Sequence, residues 1–88
     1  MKSRKTVLTP KFFEDLNFWV QSNRKVALRI LKLIEVVAQD PFVGIGKPEP
    51  LKHMEKTYWS RRINDEHRLL YEVLDTEIIF HKARFYYE

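Results

Sequence analysis

Lysine and arginine side chains are the most distinctive chemical groups of this 88-residue sequence. Between positions 47 and 68 the chain places Lys47, Lys52, Lys56, Arg61, Arg62 and Arg68, and Lys82 and Arg84 follow. The total of 16 Lys and Arg against 12 Asp and Glu gives a formal net charge of +4. Such cations can bind a polyanion such as RNA, although a basic stretch is also compatible with a solvated face that binds nothing.

Several other chemistries are excluded by the sequence. Because the chain contains no cysteine, it has no disulfide, no thiolate zinc site and no cysteine nucleophile. The segment Gly44-Ile45-Gly46-Lys47 lacks the spacing of a phosphate-binding P-loop, and Pro48 follows where a helix would have to begin. Neither His53 nor His67 has a second histidine at metal-ligand spacing. We therefore predict no metal and no cofactor.

The first elements that position the basic residues are a strand and two helices. Residues 5–8 are predicted to form a short strand, and Thr9-Pro10 is typical of a helix start, with Thr as N-cap and Pro in the first turn. A second helix is predicted from Arg24 to Gln39. Helical spacing predicts that both helices bury one stripe, made of Phe12, Phe13, Leu16, Trp19 and Val20 in the first and Val26, Ile30, Leu33, Ile34 and Val37 in the second.

After a loop rich in proline and glycine at 41–50, the sequence alternates as strands do. Strands are predicted at 58–63, 68–74 and 77–86. Alternation directs one set of residues toward the helices, namely Trp59, Ile63, Leu69, Tyr71, Val73, Ile79, His81, Ala83 and Phe85. The opposite face then receives Ser60, Arg62, Arg68, Glu72, Lys82, Arg84 and Tyr86. We predict one domain over residues 1–88 with an α+β fold, in which the N-terminal strand and a helical hairpin pack on one face of a mainly antiparallel four-stranded sheet.

The compartment is predicted from what the sequence lacks. Its N-terminal residues do not show the apolar run and cleavage site of a signal peptide. No apolar stretch reaches the roughly 20 residues that a membrane-spanning helix needs. We therefore expect a cytoplasmic protein that does not contact a membrane.

Three segments carry a family resemblance: Gly-Lys-Pro-Glu-Pro-Leu-Lys-His at 46–53, Tyr-Trp-Ser-Arg-Arg-Ile at 58–63 and Glu-His-Arg-Leu-Leu-Tyr at 66–71. They resemble the Txe/YoeB toxins of the RelE superfamily, over nearly the whole chain. The resemblance implies a RelE-like fold and a ribosome-dependent mRNA endoribonuclease of a type II toxin-antitoxin system. It also implies a YefM/Axe-like antitoxin as partner, contact with operator DNA only through that antitoxin, and the homodimer that members often form.

The resemblance implies roles for five residues. Glu49 matches the general base, and Arg62 and Arg68 match positions that hold and neutralise the scissile phosphate, where a guanidinium can bond two oxygens at once. Lys47 and Lys52 match contacts to the RNA backbone. Without the resemblance, an exposed loop glutamate and surface ion pairs would be the simpler interpretation.

The sequence departs from the family at its C-terminus. YoeB-type toxins end in Tyr-His-Tyr, whose histidine is the general acid, whereas this chain reads Phe85-Tyr86-Tyr87-Glu88. We predict Tyr86 as the acid and Arg84 and Tyr87 as RNA contacts. A tyrosine has an ordinary pKa of about 10 against about 6.5 for histidine, and nearby arginines favour the phenolate.

Two other functions remain open from the sequence. If Tyr86 cannot act as an acid, the same basic face could bind RNA or the ribosome without cutting. Alternatively, the chain could serve mainly as a co-repressor, bound to its antitoxin on operator DNA.

Overall fold

Two consecutive helices and a five-stranded sheet make up the fold. The structure is a computed structural model that describes residues 4–52, 55 and 57–85. The elements are β1 (Lys5–Leu8), α1 (Pro10–Ser22), α2 (Arg24–Gln39), β2 (Glu49–Pro50), β3 (Tyr58–Arg62), β4 (Arg68–Val73) and β5 (Glu77–Lys82). No helix among the described residues is long and apolar enough to cross a membrane.

The strands follow one another in space in the order β1-β5-β4-β3-β2. Only β1 and β5 run parallel, whereas the other neighbouring pairs are antiparallel. The α+β class and the mainly antiparallel sheet are therefore confirmed. The sheet has five strands rather than the predicted four, because Glu49 and Pro50 leave the loop and pair with β3.

Capping hydrogen bonds of Thr9 and Asn23 fix where α1 begins and ends and where α2 begins. The Thr9 hydroxyl accepts a hydrogen bond from the Phe12 N–H (3.1 Å), as the Thr-Pro signal predicts. Asn23 both ends α1 and begins α2: its N–H donates to the Trp19 carbonyl (2.8 Å), and its side-chain oxygen accepts from the Val26 N–H (3.4 Å). One residue therefore makes the whole turn between the helices, and the predicted bounds of α2 are confirmed.

The core lies between the helices and one face of the sheet. In α2, the predicted inward residues Val26, Ile30, Leu33 and Val37 are buried, and Ile34 packs against them. The prediction for α1 is wrong at two positions, since Phe13 and Val20 are 63% and 55% exposed. The buried stripe of α1 is narrower than its apolar residues suggest, and runs through Phe12, Asp15 and Trp19.

A β-bulge in β5 changes which of its residues face the helices. Tyr71 pairs with Phe80, but the preceding Leu70 pairs with Lys82, so that β5 contains one extra residue at His81. Before the bulge, Ile78 and Phe80 are buried in the core, and the predicted inward position of Ile79 is wrong. Beyond the bulge the phase shifts by one residue, and Ala83 points inward as predicted.

β5 also ends at Lys82, four residues before its predicted end. Beyond it, the backbone of Ala83 bonds to side chains of α1 instead of to a strand. Phe85 has a positive φ of 68°, which no strand residue adopts, and is 56% exposed, so its predicted inward position is wrong. Tyr86, also predicted to lie in this strand, is outside the described residues.

Candidate active site

Two arginines face each other across β3 and β4. Arg62 and Arg68 are direct partners in the antiparallel register and therefore share one face of the sheet. The Arg68 guanidinium donates to the Asn64 carbonyl (3.3 Å) in the turn between the strands. Like charges placed directly opposite each other destabilise a sheet, so this pair favours an anion bound between them.

The short strand β2 brings Glu49 to the same face. Glu49 pairs with Ser60, and the next bond along the edge joins the Leu51 N–H to the Tyr58 carbonyl (3.0 Å). Ser60 precedes Arg62 by two residues, so Glu49 is a diagonal neighbour of Arg62. Such neighbours lie about 7–8 Å apart, within reach of long side chains. A carboxylate and two guanidinium groups are therefore carried by one face of three neighbouring strands, β2, β3 and β4.

The predicted lysines lie on either side of Glu49. The Lys47 ammonium is 4.0 Å from the Glu49 carboxylate, and both side chains are mostly exposed. An ion pair this exposed adds little stability, yet it places a proton donor beside the carboxylate. Lys52 is exposed in the turn after β2, next to the buried Leu51.

The segment that leads to Glu49 is attached to β3 by a residue that the sequence interpretation overlooked. Arg61 is completely buried on the helix-facing side of the sheet, opposite Leu69. Its guanidinium binds carbonyl oxygens of the loop after α2, including those of Asp40 (2.6 Å) and Ile45 (2.9 Å). Alternation along β3, with Trp59 and Ile63 inward, is the signal that would have placed Arg61 inside.

Side chains of α1 hold the segment after β5. The Asp15 carboxylate accepts from the Ala83 N–H (2.9 Å), and the Trp19 indole donates to the Ala83 carbonyl (2.8 Å). Two residues later, the Phe85 N–H donates to His67 Nδ1 (2.7 Å) and its carbonyl accepts from the Arg68 N–H (2.9 Å). The residue that precedes Tyr86 is therefore bonded to the backbone of a phosphate-binding candidate.

Of the predicted RNA-contacting residues near the C-terminus, the structure describes only Arg84. Arg84 is not a strand residue of the basic face, because its guanidinium lies over the Phe18 ring of α1, 3.8 Å from the ring centroid. The predicted position of Arg84 is therefore wrong, for the same reason that β5 is short: the chain turns toward α1 after Lys82. Tyr86 and Tyr87 lie outside the described residues, as does His53.

His81 does not face the helices, contrary to the prediction. Because of the bulge, it lies on the face of the sheet away from the helices, where its Nε2 is 3.0 Å from a carboxylate oxygen of Glu72. The Tyr58 ring stacks on the imidazole with centroids 5.4 Å apart. Burial, and then the charge of Glu72, raise the pKa of the Tyr58 hydroxyl above its ordinary 10.0. Within the described residues, no three His, Asp or Glu side chains converge as a metal site would require.

Comparison with known proteins identifies relatives along almost the entire chain. Residues 8–87 match the family described as the YoeB-like toxin of the bacterial type II toxin-antitoxin system. Toxin YoeB of Mycobacterium bovis is 53% identical over 78 residues, which cover 89% of this chain and 92% of the relative.

Solved structures of YoeB toxins are also similar to this chain. The YoeB dimer from Staphylococcus aureus superposes with a TM-score of 0.87 at 36% identity, covering 97% of this chain and 99% of that one. A YoeB-YefM complex from the same organism gives a TM-score of 0.82 at 38% identity, over 96% and 98% of the two chains.

Proposed function

Because the chain belongs to the YoeB-like toxins of bacterial type II toxin-antitoxin systems, we propose that it is an endoribonuclease that cuts mRNA on the ribosome and so inhibits translation. The observation that carries this proposal is the face shared by Glu49, Arg62 and Arg68 on the neighbouring strands β2, β3 and β4. One carboxylate and two guanidinium groups suit the cleavage of a phosphodiester beside a ribose 2′-hydroxyl, which needs a base and stabilisation of added negative charge.

In the proposed reaction, Glu49 takes the proton from the 2′-hydroxyl of the nucleotide before the cut. The 2′-oxygen forms a bond to the adjacent phosphorus, and the bond from phosphorus to the 5′-oxygen of the next nucleotide breaks. Arg62 and Arg68 stabilise the charge of the pentacoordinate intermediate. Tyr86 gives its proton to the departing 5′-oxygen. Protons and electrons balance without a metal, and the upstream fragment ends in a 2′,3′-cyclic phosphate.

The remaining predicted residues are proposed to bind RNA. Lys47, adjacent to Glu49, and Lys52, beyond β2, are proposed to contact the RNA backbone near the cut. Arg84, whose guanidinium lies over the Phe18 ring, is proposed to contact an RNA phosphate. Tyr87 is proposed to stack on a base.

Antitoxin binding is proposed from the relatives and from the charge of the site. Solved S. aureus relatives include a YoeB-YefM complex and a YoeB dimer. We propose that a YefM/Axe-like antitoxin likewise covers the cationic face of this chain with an acidic segment. Operator DNA is then contacted only through that antitoxin. We also propose that the chain forms homodimers in the cytoplasm.

The test is cleavage of a reporter mRNA in a translating extract, with its ends mapped. The wild type is compared with Glu49→Gln, Arg68→Ala and Tyr86→Phe. Glu66→Gln is the matched control, since Glu66 is an exposed glutamate in the turn before β4. Loss of a general base lowers the rate by about 10²–10⁴-fold, so we expect Glu49→Gln to lose its cuts at ribosome-occupied codons while Glu66→Gln keeps them.

Two results would count against the proposal. If Glu49→Gln cut as fast as the control, Glu49 would not be the base. If the wild type bound translating ribosomes but produced no cuts, the chain would be a binder that does not cleave. That second function is favoured by one observation, the tyrosine at position 86 where YoeB-type toxins carry the acid histidine.

A further inference from the structure

Arg61 is a charged residue in the interior of the molecule. It has no exposed surface, and all of its described bonds go to neutral groups. Nη2 donates to the carbonyls of Asp40 (2.6 Å) and Val43 (3.1 Å), Nη1 to that of Ile45 (2.9 Å), and Nε to the Tyr71 hydroxyl (3.1 Å). The Tyr71 hydroxyl in turn donates to the Pro41 carbonyl (2.6 Å). The acceptors of this network therefore come from the loop at 40–45, apart from one core tyrosine.

A guanidinium stays charged in a protein, and a buried charge is tolerated only when its donors are bonded. The loop carbonyls supply those bonds, so the loop cannot move away without leaving a charge in the core unsatisfied. Arg61 is thus more than a packed core residue: it makes the position of the loop depend on β3.

The loop is also shaped to fit around this side chain. Gly44 has φ 130°, and a Cβ at that position would lie 3.0 Å from Arg61 Nη1. Gly46 has φ 86°, and its Cβ would lie 3.2 Å from the Cβ of Arg61 and 3.1 Å from the Arg62 carbonyl. Both glycines are required by conformation and by space, since a side chain at either site would push the loop away from β3.

The attached loop leads directly into the candidate base. The Gly46 carbonyl accepts a short bond from the Arg62 N–H (2.6 Å). Lys47 follows with φ 53°, and Glu49 pairs with Ser60 two residues further on. Three consecutive residues of β3 therefore differ in role: Ser60 pairs with Glu49, Arg61 bonds to the loop, and Arg62 lies on the candidate active-site face opposite Arg68.

We propose that Arg61, together with the Tyr71 hydroxyl, is a positioning residue: it fixes the loop at 40–46 on β3 and thereby holds Glu49 at the sheet edge beside Arg62. Arg61 does not touch RNA, because it lies on the buried side of the sheet. This proposal rests on the proposed function for its catalytic consequence, but the attachment of the loop can be measured independently of cleavage.

The test compares the full wild-type chain with two single variants, Tyr71→Phe and Arg61→Lys. Tyr71→Phe removes only the hydroxyl, and Arg61→Lys keeps the charge but lacks the forked donors. Phe80→Leu is the matched control, because Phe80 is equally buried beside Tyr71 (ring centroids 6.0 Å apart) and belongs to β5 rather than to the loop network. Amide hydrogen exchange is followed at Arg62 and Leu51, which bond to Gly46 and Tyr58, with the Asn23 amide, bonded to Trp19, as reference.

We expect both loop variants to exchange at least tenfold faster at Arg62 and Leu51, relative to Asn23, while Phe80→Leu does not. Among folded molecules we expect Tyr71→Phe to lose at least tenfold in the rate at saturating ribosomes, with ribosome affinity within about twofold. A merely structural role would instead lower activity in proportion to the folded fraction, as in Phe80→Leu.

The outcomes separate this proposal from the proposed function. Unchanged exchange at Arg62 and Leu51 in Tyr71→Phe and Arg61→Lys would overturn the attachment of the loop, and faster exchange with an unchanged saturating rate would overturn the positioning of Glu49. If the wild type cut no mRNA, the proposed function would fall, and the exchange comparison would still decide whether Arg61 fixes the loop and β2. Should Arg61→Lys fail to fold, Tyr71→Phe decides alone.

Discussion

Replacing Asp15 with alanine is expected to destabilise the protein more than any surface change on α1. The Asp15 side chain is only 1% exposed, and one of its oxygens accepts from the Ala83 N–H at 2.9 Å. The other oxygen lies 3.1 Å from the Lys11 ammonium, one helical turn earlier. Asp15→Ala removes both interactions and leaves the N–H of Ala83, a residue with no exposed surface, without its acceptor.

The magnitude follows from these contacts. A hydrogen bond to a charged acceptor contributes about 1.5–3 kcal/mol, and an orphaned buried donor adds to the loss. Lys11 is 47% exposed, so its ion pair adds no more than about 1 kcal/mol. Removing a buried carboxylate also recovers part of its desolvation cost. The expected net loss in the free energy of unfolding is about 2 kcal/mol, which lowers the Tm of a domain of this size by about 8–16 °C.

Urea denaturation followed by tryptophan fluorescence measures this loss, with Glu14→Ala as the matched control. Glu14 approaches the same Lys11 ammonium (3.7 Å), but its side chain is 74% exposed, so its removal is expected to change stability by less than about 0.5 kcal/mol. Equal losses in the two variants would refute the reasoning, because the contact with Ala83 would then contribute nothing. A loss of more than about 4 kcal/mol in Asp15→Ala would show that Asp15 also stabilises parts of the fold other than the segment after β5.

Two further predictions concern buried polar groups. Trp19→Phe removes the donor to the Ala83 carbonyl and is expected to cost about 1–2 kcal/mol by the same denaturation assay; a variant as stable as the wild type would contradict this. Burial raises the pKa of the Tyr71 hydroxyl above its ordinary 10.0, against an opposing effect of Arg61. The Tyr71 hydroxyl therefore ionises at a lower pH in the unfolded chain than in the folded protein. The stability that this pKa difference contributes is complete below about pH 10 and is lost as the pH rises through the higher folded pKa. Denaturation curves measured across that range should show a steeper decline for the wild type than for Tyr71→Phe, and parallel declines would refute the assignment.

The helices could be predicted from the sequence because their signals are local. The Thr9 cap, the Asn23 break and the periodicity of α2 each lie within a few residues of the feature that they specify. The α1 stripe was predicted too wide, because hydrophobicity indicates which residues can be buried but not how much of the sheet is available to cover them. Nothing in the local pattern identifies Asp15 as buried, since its partner is the distant Ala83.

The strand errors have a common cause in long-range pairing. A bulge is decided by how β4 and β5 fit together, so alternation within β5 could not show that His81 is the extra residue. β2 is likewise defined only by its pairing with β3. For the candidate site, the sequence motifs led to Glu49, Arg62 and Arg68, which the structure brings to one face, whereas the loop attachment through Arg61 depends on carbonyl groups that no side-chain pattern reveals.

The parallel pairing of β1 with β5 determines when the protein can fold during its synthesis. Of the described elements, β1 is the first to be synthesised, and its partner β5 is the last. Until β5 emerges, the edge of β1 has nothing to pair with, and the core has no Ile78 or Phe80. Contacts between distant parts of a chain form late. The nascent chain can therefore form its helices and the β3–β4 hairpin early, but the completed sheet, and with it the support for Arg68 from Phe85, arises only after β5 and Phe85 have emerged.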